Sequence, residues 1–150
     1  MSPRTILVLN GPNLNLLGQR EPELYGTATL ADAEHLCVRA AAPHSVTIDF
    51  RQSNHEGRLI DWVHESRTSH AAVVINPAGY SHTSVALADA LATLDGKPVL
   101  EVHLTAIHRR EAFRHHSYVS VVADAVITGC GVQGYALAVE RACTLIGATA

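Results

Sequence analysis

The tripeptide Glu101-Val102-His103 sets a carboxylate and an imidazole two positions apart in a run of strand-forming residues. Side chains two apart on a strand share a face. A carboxylate there can orient the imidazole and favour its charged form, which suits a general acid. Arg20 and Tyr25 stand five apart in the stretch LNGPNLNLLGQREPELYG. A cation held beside a phenol favours the phenolate, a strong base that is scarce near neutrality because a free phenol titrates near pH ~10. Tyr25 could instead be a ring capping the core. Asn13, in the same stretch, offers an amide to a ligand or simply makes an Asx-turn. Asn76 and His82 frame NPAGYSH as hydrogen-bonding groups, or as a turn asparagine and a surface histidine. Arg110 and Arg114, four apart, would lie on one face of a helical turn and grip an anionic or polyhydroxylated substrate, unless they form a solvated basic face.

Other chemistries are disfavoured. Ser84 or Thr83 reads as the cap of the next helix rather than a nucleophile, and no GxSxG elbow is present. Gly129-Cys-Gly-Val-Gln-Gly134 matches GxGxxG, but it follows the last strand, with no room for the second half of a dinucleotide fold; a tight turn is expected. There is no HExxH, and His115 and His116 are adjacent, so no metal is expected. A flavin or phosphate module would want a Ser/Thr-rich loop after the first strand, whereas here neither residue occurs between Asn10 and Thr27.

The elements that must position these groups follow from periodicity. Strands are expected at Thr5–Asn10, Val46–Arg51, Ala72–Asn76, Val99–His103 and Asp124–Thr128. Helices are expected at Thr29–Ala42, Glu56–Arg67, Ser84–Leu94, a shorter Arg109–His115, and Gln133–Ile146. Thr29-x-x-Asp32 and Ser53-x-x-Glu56 read as capping boxes. The alternation predicts one α/β domain over 1–150: a flavodoxin-like, five-stranded parallel sheet of order 2-1-3-4-5 with helices on both faces. Ligands on such a sheet sit beyond the carboxyl ends of the strands, at the switch point between strands 1 and 3, where the candidate residues fall. The connection after strand 1, about 18 residues, is long for a βα loop and reads as a lid, with Gly18 and Gly26 as hinges.

Composition bounds the partners. The net charge of −3 argues against a nucleic-acid or anionic-membrane binder. The charged fraction of 17% is low for a small domain and hints at surface buried against other copies. No apolar run approaches a membrane span or a signal-peptide core, and Cys37, Cys130 and Cys143 read as core thiols of a cytoplasmic protein.

Taken together, LNGPNLNLLGQREPELYG, QSNHEGRLIDWVH, NPAGYSHTSVALADAL, EVHLTAIHRREAFRHHSYVS and GVQGY resemble the type II 3-dehydroquinases over nearly the whole chain. The resemblance implies a flavodoxin-like subunit in a dodecamer built of trimers. It also implies a cofactor-free anti elimination of water from 3-dehydroquinate, by way of an enolate, to give 3-dehydroshikimate. Carried over, Tyr25 is the proton acceptor, Arg20 the residue that activates it, and His103 the proton donor. Asn13 holds a water near the enolate oxygen. Asn76, His82 and Arg114 bind substrate, Leu104 and Thr105 hold its carboxylate, and Asp89 reaches a neighbouring subunit's site. Glu101 and Arg110 support these groups. Two departures stand out: Pro77-Ala78-Gly79 where the family more often has Pro-Gly-Ala, and Thr105-Ala106 in place of Ser-Asn.

Overall fold

The computed structural model describes residues 4–148. Strands β1 (Arg4–Asn10), β2 (Val46–Gln52), β3 (Ala72–Asn76), β4 (Val99–His103) and β5 (Ala125–Thr128) form one parallel sheet in the order β2-β1-β3-β4-β5. The order and the flavodoxin-like winding are those expected. Around the sheet lie α1 (Pro22–Tyr25), α2 (Leu30–Ala41), α3 (Glu56–Ser69), α4 (Val85–Ala92) and α5 (Gln133–Leu145).

Strand alternation divides the core into two layers. Ile6 and Val8 of β1 pack with Ala33 and Cys37 of α2 and with Tyr135 and Val139 of α5. Leu7 and Leu9 point the other way, onto Leu59 and Val63 of α3 and Leu87 and Leu91 of α4. Each such fully buried aliphatic side chain contributes about 1.5–3 kcal/mol. β1 and β3 are covered on both faces, which is why they read as continuous apolar runs ending in asparagine.

Local signals were obeyed unevenly. At α2 both halves of the capping box form: Thr29 Oγ1 accepts from Asp32 N–H and Asp32 Oδ2 from Thr29 N–H. Ser84 Oγ caps α4 by accepting from Leu87 N–H. The Ser53–Glu56 box does not form. α3 begins at Glu56 behind His55, and Ser53 Oγ accepts from His55 N–H instead. Asn54 is held out of the helix because its side-chain oxygen accepts from Asn13 N–H and Gln52 Nε2, and its carbonyl from the Tyr80 hydroxyl.

The expected helix Arg109–His115 is also absent. Two short 3₁₀ turns, Ile107–Arg109 and Ala112–Arg114, flank extended backbone at Arg110 and Glu111. The His115 ring takes the Arg110 carbonyl at 2.8 Å, diverting it from any helical ladder. Cys130 is a third correction, exposed in the Gly129–Gly131 turn, whereas Cys37 and Cys143 are buried. That turn needs its glycines, with φ of 82° and 58°, as a tight turn would. The long connection after β1 is ordered by a 3₁₀ turn at Leu14–Leu16 and by α1, and buried Leu14 and Leu17 anchor it. Among the described residues no helix is long and apolar enough to cross a membrane.

Candidate active site

A cleft opens beyond the carboxyl ends of β1, β3 and β4. It is lined by Asn13, Arg20, Tyr25, Asn76, His82, His103, Leu104, Thr105, Arg110 and Arg114, with Pro12, Leu14, Ala78, Gly79 and Ile107 completing its wall. Every residue singled out from the sequence lines it except Glu101, which lies behind His103, and Asp89, which is exposed on α4.

The floor is a buried polar relay. Asn10 and Asn76 are register partners at the ends of β1 and β3. Asn76 Nδ2 donates to the Tyr135 hydroxyl at 3.0 Å, which donates to Asn10 Oδ1 at 2.7 Å, and Asn10 Nδ2 donates to the Arg51 carbonyl. Asn76 Oδ1 also accepts from Ala78 N–H at 3.1 Å. Complete burial pushes the Tyr135 phenol far above its ordinary value, so it stays a proton donor in the relay. Most of the Asn76 amide is thus spent on scaffolding, and a single N–H remains for a ligand. Gly11 brings the start of the long loop against this floor. A Cβ there would lie 2.5 Å from the Pro77 carbonyl oxygen, so only glycine permits the approach. At the next turn Ala78 adopts φ 51°, a left-handed conformation that costs an L-residue about 1–2 kcal/mol.

On the β4 side Glu101 and His103 are both buried, and His103 Nε2 is hydrogen-bonded to Glu101 Oε2. Ser117 Oγ donates to the same carboxylate oxygen at 2.7 Å, and Ser120 Oγ donates to Oε1 at 2.6 Å. Burial pushes the Glu101 carboxyl up, but the hydrogen bonds from His103, Ser117 and Ser120 outweigh it and hold the group below the usual carboxylate value. His103 Nδ1 has no hydrogen-bond partner among the described residues, which leaves it for a ligand. The His82 ring stacks 6.2 Å from that of His103. Its Nδ1–H donates to the His116 carbonyl at 2.8 Å, fixing Nε2 as the acceptor of a neutral ring. Burial lowers the His82 value, and that outweighs the carbonyl contact that raises it.

On the loop side Tyr25 ends α1. Its hydroxyl accepts from Arg110 Nη1 at 2.9 Å. The guanidinium carbons of Arg20 and Arg110 lie 5.2 and 5.3 Å from the ring centroid. Arg20 is therefore beside the ring, while Arg110 is the cation on the phenolic oxygen. Arg110 also approaches Thr105 Oγ1 at 3.4 Å. Arg114 Nε donates to Glu111 at 2.8 Å, and Glu111 comes within 3.8 Å of Arg110 as well. Loss of the expected helix does not separate the two arginines, since both still reach the cleft. Asn13 sits at the mouth with φ 71°, its backbone N–H held by Asn54.

Sequence reading missed Asn10 and Tyr135, which build the floor, Ser117 and Ser120, which clasp Glu101, and Glu111, which partners both arginines. The serines lie in EVHLTAIHRREAFRHHSYVS, but nothing in their spacing pairs them with a residue 16 or 19 positions earlier. Among the described residues no three His, Cys, Asp or Glu side chains cluster as metal ligands would.

A doubly wound parallel sheet with an imidazole and a cation-held phenol in one cleft at its switch point is a flavodoxin-like scaffold built for acid–base chemistry. Comparison with known proteins makes the class specific. The family profile described as Dehydroquinase class II matches residues 4–143. A 3-dehydroquinate dehydratase of Streptomyces coelicolor is 68% identical over 143 residues, covering 95% of this chain and 91% of the relative. The crystal structure of type II dehydroquinase from Butyrivibrio crossotus superposes with a TM-score of 0.91 at 37% identity, covering 95% of this chain and 99% of that one. That of type II dehydroquinase from Propionibacterium acnes gives 0.89 at 43% identity, covering 94% and 97%. The chain belongs to the class II dehydroquinases.

Proposed function

We propose that the protein is a 3-dehydroquinate dehydratase, a lyase that removes water from 3-dehydroquinate by anti elimination to give 3-dehydroshikimate, with its 150 residues acting as one catalytic domain. The observation that carries the reading is the pairing of a guanidinium-held phenol, Tyr25, with the buried Glu101–His103 dyad in a single cleft.

Removing a proton α to a ketone needs a positioned base and support for the enolate oxygen. Tyr25 is the base. Arg110 on its oxygen and Arg20 beside its ring are placed to stabilise the charge that moves as the proton is transferred. Asn13 positions a water at the enolate oxygen. Expelling the hydroxyl needs a proton, which His103 supplies while the carboxylate of Glu101 steadies the ring. An anti elimination separates base and acid onto opposite faces of the substrate, which matches a loop-borne phenol and a strand-borne imidazole. His82 accepts a substrate hydroxyl at Nε2, Asn76 gives its remaining N–H, and Arg114 with Leu104 and Thr105 takes the carboxylate. The chemistry calls for no cofactor.

The reaction belongs to the shikimate pathway of aromatic amino acid biosynthesis, or to quinate breakdown, in the cytoplasm. Asp89, exposed beside half-exposed Val85 on α4, suits delivery to a neighbouring subunit's cleft in a dodecamer built of four trimers. Adding 3-dehydroquinate should produce the ultraviolet absorbance of the conjugated product. A substrate stereospecifically deuterated at the α carbon should lose the hydrogen anti to the departing hydroxyl. Loss of the other hydrogen would exclude the assignment of Tyr25 and His103 to opposite faces.

A further inference from the structure

A buried carboxylate–imidazole pair that shares one proton can be a carboxylate with an imidazolium or a carboxylic acid with a neutral imidazole. Both arrangements carry the same net charge, so their surroundings decide between them. Burial alone disfavours the arrangement with separated charges. Glu101 is fully buried in β4, between register partners Ile75 and Val126. An unassisted pair there would tend to place the proton on the carboxyl, leaving the ring neutral and its Nδ1–H a far weaker acid toward a substrate.

We infer that Ser117 and Ser120 are positioning residues that keep the shared proton on His103, by clasping Glu101 as a carboxylate from both of its oxygens. Ser117 donates to Oε2 and Ser120 to Oε1, at 2.7 and 2.6 Å, short distances typical of hydroxyls on a charged acceptor. Three donors on one carboxylate favour its ionised form, because a carboxylic acid accepts the two serine hydroxyls more weakly than a carboxylate does. The groups around the pair do not supply this effect. His82, stacked on the His103 ring, and Arg114, whose charge reaches His82, act on the imidazole side. On the Glu101 side the partners are the two hydroxyls and the ring.

The clasp is itself well anchored. Ser120 N–H donates to Ser117 Oγ, Tyr118 N–H to the Ser81 carbonyl, and the His116 carbonyl accepts from His82. Val119, between the serines, is buried against the α3–α4 layer. The serines therefore approach the carboxylate from a fixed frame, and orienting them costs little at the moment of reaction.

The inference rests on the dehydratase reading, and the test separates the two. In the full-length enzyme, Ser117→Ala with Ser120→Ala should lower kcat on 3-dehydroquinate by about tenfold or more, leaving KM within about twofold. At one and the same pH, ¹⁵N NMR of the His103 ring should report less imidazolium in the double variant than in the unaltered enzyme. Infrared difference spectra should show a protonated carboxyl band that Glu101→Gln removes. Ser120→Thr, which keeps the hydroxyl, should retain activity. In a Glu101→Gln background the serine changes should cost less than about twofold, because their route to catalysis runs through that carboxylate. An unchanged ring spectrum with unchanged kcat, or an equal loss in the Glu101→Gln background, would overturn the inference. Failure of the unaltered enzyme to dehydrate 3-dehydroquinate would instead overturn the reading beneath it, while the ring spectra would still show whether the clasp governs the proton.

Discussion

The two sides of the cleft are built on opposite principles. On the β4 side, Glu101 and His103 are all but inaccessible, and both carboxylate oxygens are engaged. On the loop side, the Arg20 side chain is 42% exposed, its ion-pair partner Glu21 is more so, and the Tyr25 hydroxyl is tied to the rest of the molecule by Arg110. A proton donor set in a strand is held by the core and moves with it. A base set on a loop is positioned by a few polar contacts that can break, which is what admitting a substrate requires. In the proposed mechanism, rigidity and access are thus divided between His103 and Tyr25.

The largest effects should come from removing either group outright. His103→Ala and Tyr25→Phe should each lower kcat by about 10²–10⁴-fold, with a substrate analogue still binding, as steady-state kinetics and calorimetry would measure. Near-normal kcat in either variant would remove that residue from the chemistry.

The next effects should differ between the sides. Arg110→Ala should cost kcat about 10²-fold, at least as much as Arg20→Ala, because Arg110 touches the phenolic oxygen and Arg20 only the ring. Neither loss should add to that of Tyr25→Phe, since each arginine acts through the phenol. A rise in KM alone for Arg20→Ala would make that residue a binding group.

Gly11→Ala should disturb the seam between the sides. Its Cβ would press on the Pro77 carbonyl, costing about 1–3 kcal/mol in urea unfolding. The Glu101–His103 pair should keep its NMR signature in that variant, whereas Tyr25 should shift.

The β4 side should also show itself in acid. Glu101 in the folded protein is held below its ordinary value of 4.5, so its contacts contribute stability at neutral pH. That contribution is complete above the ordinary value and is lost as pH falls from there through the folded-state value. Asp49, lowered chiefly by its hydrogen bond from Arg51, adds in the same direction. Urea midpoints should fall as pH drops below 4.5, and less steeply in Glu101→Gln.

The smallest effect should be a gain. Ala78→Gly relieves the left-handed backbone at φ 51° and should raise stability by about 0.5–1 kcal/mol, or about 2 °C in Tm. A loss instead would mean that the alanine methyl contributes more through packing than the backbone strain costs.

The order of residues was enough to read the frame and the members of the cleft. Short strand-forming segments alternating with helical periods were enough to place five strands in the observed order, because few windings of such a chain bury both faces of its sheet. The polar residues then had to collect where those strands end, and Asn13, Tyr25, Asn76, His82, His103, Arg110 and Arg114 do so. Period-2 alternation joined Glu101 to His103 because the relation is local to one strand. Tertiary structure alone decided which side chains from distant segments touch. It set Arg110, 85 residues away, on the Tyr25 oxygen, linked Asn10 to Tyr135 across 125 residues, and closed two serines on Glu101. It also denied Ser53 its capping box, as Tyr80 and Asn13 claimed the carbonyl and amide of Asn54, while the expected helix at Arg110 gave way to a contact inside its own segment, the His115 ring on the Arg110 carbonyl. Local sequence fixes which hydrogen bonds a segment can make with itself. Which of them survive depends on partners that only the folded chain brings within reach.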